Sequence, residues 1–222
     1  MTASGTTNTK GAARMLGLPL QTEVKKQLPK NAIYTKFQMN TAQKEKIDSD
    51  IAKLVIVNEV NPSTINIEAG KEIKGFFVVH VTLKKKDYAE STIIQISKLI
   101  PQNILFVLEF EEYVQLATYH TKLMHTEWLP KEEPTITLKG FDFDTVWENI
   151  IINIGNIEIK QGNTLDEQIE VNEKIAKLER DIAQLEKQAR AEKQPKKKFE
   201  LAGRVNTLKK DLNLLKANSG LN

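Results

Sequence analysis

Lysines that could contact phosphate cluster near the end of the chain. Between Lys187 and Lys216 the sequence holds ten Lys or Arg residues and three acidic ones. The densest group is Lys193, Lys196, Lys197 and Lys198. Because each phosphate that a cation neutralises releases counterions, this group predicts a nucleic-acid contact. The alternative is that the lysines only solvate the end of a coiled coil.

A second basic group follows a predicted buried strand. It consists of Lys84, Lys85, Lys86 and Tyr88. Ligands of open α/β sheets often bind beyond strand ends, where lysines could hold a nucleic-acid backbone and an aromatic ring could stack on a base. The alternative is an ordinary exit from a strand.

A third group, Tyr119, His120 and Lys122, could line the rim of a binding surface. Aromatic residues near strand ends more often pack in the core or at an edge, and Trp128 is open to the same interpretation. We therefore carry these three residues as candidate nucleic-acid contacts, with packing as the alternative.

The residue types give little support for catalysis. Restriction-type nucleases hold Mg²⁺ with an acid on one strand and a Glu two residues before a Lys on the next. Here Thr82 stands two residues before Lys84, which leaves Glu59 as a single carboxylate. His80 and the other histidines have no spacing that suits a metal, and there is no cysteine. The sequence therefore predicts no catalytic residue, metal or cofactor, and a divergent nuclease is kept as an alternative.

Composition bounds the class of protein. The net charge of +3 is too small to indicate a nucleic-acid partner by itself, so the position of the lysines carries that argument. The apolar runs are too short to cross a membrane, and the first residues lack the apolar core of a secretion signal. We expect a cytoplasmic protein with no membrane partner.

The elements that must position these residues form an α/β domain over residues 15–160, after a disordered lead at 1–14. Apolar runs at 51–60, 75–84, 104–110 and 113–120 predict strands, with a short edge strand within 128–137. Helical spacing predicts two short pieces around Pro29 and helices starting at Thr41, after Asp87 and at Asp142 or Asp144. This order predicts a mixed β-sheet of about four to six strands flanked by helices.

Residues 161–222 change to a helical period. Thr164 and Glu167 form a capping-box pattern, and apolar residues then follow at alternating steps of four and three. A second run with the same steps begins after Pro195, from Leu201 to Leu215. Each seam needs a partner, so we predict a C-terminal antiparallel coiled-coil hairpin with a basic tip. A monomer or a component of a hetero-complex is expected, and a homodimer stays open.

Several segments together resemble a known family. They are MLGLPLQTEVKKQLPK, VTLKKKDY, LATYHTKLMHTEW, TVWENIIINIG, NTLDEQI and AEKQPKKKFEL. They resemble the bacterial domain-of-unknown-function family 4391 over nearly the whole chain, and the combination of YHTK with EKQPKKK is specific to it. The resemblance implies no reaction and no catalytic residues. It implies an accessory protein of restriction or phage-defence loci, with DNA methyltransferase or helicase subunits as partners.

Three functional hypotheses follow. The first is a non-catalytic accessory subunit of a DNA modification, restriction or phage-defence assembly that contacts DNA, a partner enzyme or both. The second is a protein-protein interaction module that acts through its coiled-coil arm without touching nucleic acid. The third is the divergent nuclease that would use Glu59. Salt-dependent DNA binding through the tip lysines separates the first from the second.

Overall fold

The computed structural model describes residues 16–218, and the lead at residues 1–14 lies outside them. The chain divides into two compact units, Met1–Asn156 and Ile157–Asn222. Each unit is described by itself below. Among the described residues, no helix combines the length and the apolar character needed to cross a membrane.

Seven strands in the described part of the chain form one mixed sheet. They are β1 (Glu23–Gln27), β2 (Ile51–Val60), β3 (Phe76–Leu83), β4 (Asn103–Phe110), β5 (Tyr113–Tyr119), β6 (Leu123–His125) and β7 (Leu129–Pro130). Six follow the order β1-β2-β3-β4-β5-β6, and β7 also pairs with β5. Strands β3 and β4 are parallel, while the other pairs are antiparallel. The expected mixed sheet is confirmed, at six to seven strands.

The described part of this first unit has four α-helices: α1 (Lys30–Lys36), α2 (Thr41–Asp50), α3 (Glu90–Leu99) and α4 (Phe143–Gly155). Helix α3 is the crossover that two parallel strands require, because it returns the chain from the end of β3 to the start of β4. Helix α2 runs directly into β2, because Ile51 is both the C-cap of α2 and the first residue of β2. The order of elements thus places the residues around Asp50 beside the exit from β3.

The two faces of the sheet carry separate apolar layers. Val79 of β3 packs in one cluster with Ile47 of α2 and Ile93 of α3. Phe76, three residues earlier on the same strand, lies on the opposite face because strand side chains alternate. Its ring contacts Trp147 of α4, with centroids 5.2 Å apart. The sheet is therefore covered by α1, α2 and α3 on one side and by α4 on the other.

A loop without room for a side chain secures the start of α4. The Asp144 carboxylate accepts hydrogen bonds from the backbone N–H of Lys71, at 2.6 Å, and of Ile73, at 2.7 Å. A Cβ on Gly70 would lie 2.2 Å from Asp144 Oδ1, so only glycine fits there without a shift of the loop. Asp142 caps α4 by accepting from the N–H of Thr145, as the sequence indicates.

The local predictions are only partly met. The first helical piece before Pro29 is wrong, because Glu23–Gln27 is an edge strand that pairs with β2. Helix α2 begins at Thr41 as expected; its cap is Asn40, and Gln43 completes a capping box. The three-residue strand β6 follows the tight turn after Tyr119 and has no counterpart in the prediction.

The second unit contains α5 (Leu165–Ala191) and α6 (Pro195–Asn218), which pack together as the predicted hairpin. The capping box of Thr164 and Glu167 starts α5. Ion pairs between described residues join the helices, among them Glu186 with Lys209 at 2.7 Å and Glu179 with Lys216 at 2.8 Å. The two pairs are seven residues apart in each helix, and their order along α5 is the reverse of their order along α6, as antiparallel helices require.

Candidate nucleic-acid interface

The first two lysines beyond β3 are tied to the body of the protein. Lys84 Nζ donates to the backbone oxygen of Asp48 at 2.6 Å. Lys85 Nζ forms an ion pair with Asp50 Oδ1 at 2.8 Å, although the lysine side chain is half exposed. These contacts hold the exit of β3 against the end of α2.

Asp50 is the anchor of this arrangement. Its side chain is 2% exposed, and its second oxygen accepts from the N–H of Ala89 and the hydroxyl of Thr92, both at 3.0 Å. Burial opposes ionisation, but the hydrogen bonds from Lys85 and the other donors outweigh it and lower the pKa of Asp50. The carboxylate therefore joins α2, the exit of β3 and the start of α3.

Lys86 and Tyr88 belong to an aromatic cluster. The Lys86 ammonium lies 4.9 Å from the ring centroid of Tyr113 and 5.4 Å from that of Trp128. Tyr88 packs edge-on against Trp128 at 6.5 Å, and its hydroxyl donates to Gln115 Oε1 at 2.8 Å. Burial, with a smaller contribution from Glu90, raises the pKa of Tyr88. The Tyr88 ring is thus partly buried against Trp128, and its hydroxyl is held inside the fold.

The third candidate group lies at the other end of the sheet. Tyr113 starts β5 beside Phe110, whereas Tyr119 ends it near the start of β4. Six residues of antiparallel strand separate the two tyrosines by about 20 Å. Lys98 Nζ lies 5.1 Å from the Tyr119 ring centroid, and a cavity of about 290 Å³ is lined by Lys98, Tyr119 and His120 among others. Lys122 follows in the tight turn to β6. The two body groups therefore do not form one surface.

The residues weighed for a nuclease are also apart. Glu59 of β2 is paired in register with Phe77, five residues from Thr82 on β3. That spacing corresponds to about 17 Å along the strand. Glu59 contacts Lys26 Nζ at 3.4 Å. Across the described residues, no group of three or more His, Asp or Glu side chains is placed to hold a metal ion.

The tip lysines occupy the turn between α5 and α6. Lys193 lies in the turn, and Lys196, Lys197 and Lys198 fall in the first turn of α6; all four side chains are exposed. In the described part of the chain, none of the four forms an ion pair, whereas Arg190 and Lys209 both pair with Glu186. Lys209, which donates to Glu186, lowers the pKa of that carboxyl. The acids of α5 thus neutralise the stem of the hairpin and leave the tip positive.

The electrostatics of α6 make this tip unusual. The positive end of a helix dipole favours acidic residues, and α5 has Asp166 and Glu167 in its first turn. Helix α6 has no acid in its first turn and three lysines instead. A groove of about 410 Å³ between the helices is lined by Arg190 and Lys198 among others. Dipole and lysines have the same sign, so an anion is the complementary ligand.

Comparison with known proteins identifies the family. The family described as a domain of unknown function, DUF4391, matches residues 16–212. This chain belongs to the DUF4391 family. No curated protein and no solved structure matches the chain. The matched residues include all three candidate groups, so the DUF4391 domain takes in both the sheet and the hairpin tip.

Two features of this DUF4391 chain lie outside the three candidate groups that the sequence indicates. The first is Phe199, which directly follows the tip lysines and is 81% exposed. The sequence KKKF contains the signal for it, an aromatic residue next to a basic group. The second is a pair on adjacent strands, His80 Nε2 with Glu109 Oε2 at 2.5 Å, in which His80 is buried and Glu109 is partly buried. The sheet register decides which residue is the partner of His80.

Glu109 also binds Lys131 at 3.0 Å through its other oxygen. The hydrogen bond from His80 and then that from Lys131 hold the pKa of Glu109 at about 2, against the opposing effect of burial. The Nδ1 atom of His80 is buried and has no hydrogen-bond partner among the described residues. The pair thus joins β3 to β4, with His80 buried and the Glu109 side chain 24% exposed.

Proposed function

We propose that this DUF4391 protein is a non-catalytic accessory subunit of a DNA modification, restriction or phage-defence assembly, and that it contacts nucleic acid through the tip of its hairpin. The observation that carries the proposal is the group Lys193, Lys196, Lys197 and Lys198. These side chains are exposed, none of them pairs with an acid in the described chain, and three lie where the helix dipole adds to their charge.

The body groups have a smaller part in this proposal. Lys84, Lys85, Lys86 and Tyr88 have partners within the fold, so they support the sheet and are not the principal contacts. Tyr119, His120 and Lys122 lie at the opposite end of β5 and could add a separate, weaker contact. The setting in a defence or modification assembly, with a methyltransferase or helicase as partner, rests on the family resemblance.

One observation favours the second function, a protein-protein interaction module. Phe141, between Gly140 and the cap of α4, is 95% exposed. A large exposed apolar side chain beside a helix start can bury its surface against a protein partner. An accessory subunit would use both surfaces, the body for its partner enzyme and the tip for nucleic acid.

The test is a titration of labelled duplex and single-stranded DNA, and of RNA of the same sequence, followed by fluorescence anisotropy at low and moderate salt. Replacing Lys196, Lys197 and Lys198 by Ala should weaken binding and reduce the slope of log K against log salt by about two to three. The matched control replaces Lys25, Lys71 and Lys139, three exposed lysines of the body, by Ala. The control removes the same charge and should retain the slope of the wild type.

Two results would overturn the proposal. One is an absence of binding to every nucleic acid at low salt, which would favour the interaction module. The other is an equal loss of binding in the tip variant and in the control variant, because net charge alone would then explain the affinity.

A further inference from the structure

Phe199 cannot join the core of its own hairpin. Val205 is buried and Leu201 is partly buried in the seam between the helices. Residues of an α-helix advance by about 100° each, so Phe199 lies about 160° around α6 from Leu201. Its ring therefore faces away from α5, in agreement with its 81% exposure.

The position next to this ring lacks a side chain. Gly203 is one helical turn after Phe199, and residues four apart are neighbours on a helix surface. A Cβ on Gly203 would meet no atom of the described residues within 4 Å, so no contact in that part of the chain requires glycine there. Glycine in an exposed helix interior costs about 1 kcal/mol relative to alanine. Gly203 gains no packing from the described residues of the hairpin in return for this cost. It does leave open space beside the Phe199 ring.

Charge decides what kind of ligand fits this surface. The ring lies directly after Lys196, Lys197 and Lys198, and a flat apolar ligand without charge would make no use of them. Single-stranded nucleic acid combines a flat base with a phosphate at every step, and aromatic rings with nearby cations are how proteins bind it. A duplex stacks its bases against each other, so it can offer phosphates to the lysines but no free base face to Phe199.

We propose that Phe199 stacks on an unpaired base, with Gly203 leaving room for the base to approach, so that the hairpin tip prefers single-stranded over duplex nucleic acid. The proposal rests on the proposed function and adds its ligand class. The lysines hold the backbone of either form, whereas the ring contributes to the single strand alone.

The experiment compares Phe199→Ala with the wild type in the full chain, using a labelled single-stranded DNA and the duplex of the same sequence at one salt concentration. Affinity for the single strand should fall about five- to a hundredfold, as expected for the loss of one stacked base, and affinity for the duplex should change less than about twofold. Phe199→Trp should retain single-strand binding. Leu214→Ala, which removes another exposed apolar side chain of α6, should change neither affinity.

A second variant separates binding from stability. Gly203→Ala should raise the thermal stability of the protein, since alanine favours the helix, and at the same time weaken single-strand binding severalfold because the methyl group occupies the space beside the ring. A loss of binding in a more stable protein cannot come from misfolding.

The outcomes distinguish this inference from the proposed function. If the triple lysine variant loses binding while Phe199→Ala binds the single strand like the wild type, the stacking is wrong, the lysine contact stands, and the ring is better explained as a contact for a protein. Equal losses for single strand and duplex in Phe199→Ala would also overturn the stacking. If the wild type binds neither form, both proposals fail together.

Discussion

At the scale of single residues, the structure assigns different tasks to lysines that look alike in the sequence. Lys85 neutralises a buried carboxylate and Lys86 lies over two aromatic rings, whereas Lys196 and Lys197 are exposed without an acidic partner in the described chain. What separates them is the presence of a partner: Asp50 compensates the charge of Lys85 and two rings hold Lys86, whereas the tip lysines have no acidic partner in the described chain. The first group supports the fold, and the second supports the proposed contact.

The pair of His80 and Glu109 leads to a prediction about pH. The folded protein holds the pKa of Glu109 at about 2, below its ordinary value of 4.5. A depressed pKa stabilises the fold above the unfolded value, and this stability is lost as pH falls from about 5 towards 2. Glu109→Gln should therefore lower the free energy of unfolding by on the order of 2 kcal/mol at neutral pH, with a deficit that shrinks on acidification.

Chemical denaturation between about pH 6 and about pH 3 measures this difference. Glu132→Gln, at an exposed position nearby, is the control and should follow the wild type at every pH. A deficit of Glu109→Gln that stays constant across this range would show that the ionised pair does not stabilise the fold.

At the scale of elements, the hairpin depends on a narrow apolar seam. Leu165, Gln168 and Ile169 are buried near the start of α5. Farther along the described part of the hairpin, Ile175 and Ile182 of α5 and Val205 of α6 are buried, while most other positions are exposed. The two ion pairs across the helices are largely exposed and add little on their own. Register and stability therefore rest on a few aliphatic side chains.

Replacing Ile182 by Ala should destabilise the hairpin by about 2–4 kcal/mol, since it removes a buried aliphatic side chain and leaves a cavity. Amide hydrogen exchange should show the loss of protection across α5 and α6. Gln184→Ala, two residues along the same helix and exposed, should exchange like the wild type. Unchanged protection in Ile182→Ala would mean that the seam does not hold the helices together.

At the scale of the whole molecule, the proposed contact is confined to one part of a chain whose net charge is only +3. In the sheet unit, several lysines pair with acids and the exposed ones, such as Lys25, Lys71 and Lys139, are scattered along the chain. At the turn of the second unit, four exposed lysines without an acidic partner in the described chain lie together. Nucleic acid should then protect that turn and leave the surface of the sheet unit open.

Limited trypsin digestion tests this distribution within one reaction. The bonds after Lys193 and after Lys139 both follow exposed lysines outside helices and strands. Added single-stranded DNA should slow cleavage after Lys193 severalfold and leave cleavage after Lys139 unchanged. Fragments identified by mass spectrometry report both sites, and equal protection of the two would argue against a contact localised at the tip.

The sequence by itself determined the hairpin and the central strands. The steps of four and three in α5 and α6 place apolar residues on one face of a helix, and the runs of β2 to β5 are short, rich in β-branched and aromatic residues and bounded by turns, which favours strands. The same local signals failed at β1, where Val24 and Leu28 have helical spacing. There the hydrogen bonds offered by β2 outweigh the local preference, and a single segment carries no trace of that partner.

Only the tertiary structure decided which candidate residues are free to bind. Asp50 and Lys85 are 35 positions apart in the chain, and His80 and Glu109 are 29 apart, so their pairing follows from sheet register and not from spacing. The tip lysines could be singled out from the sequence because their neighbours in space are also their neighbours in the chain. A contact between distant residues depends on how the elements pack, and no local pattern encodes it.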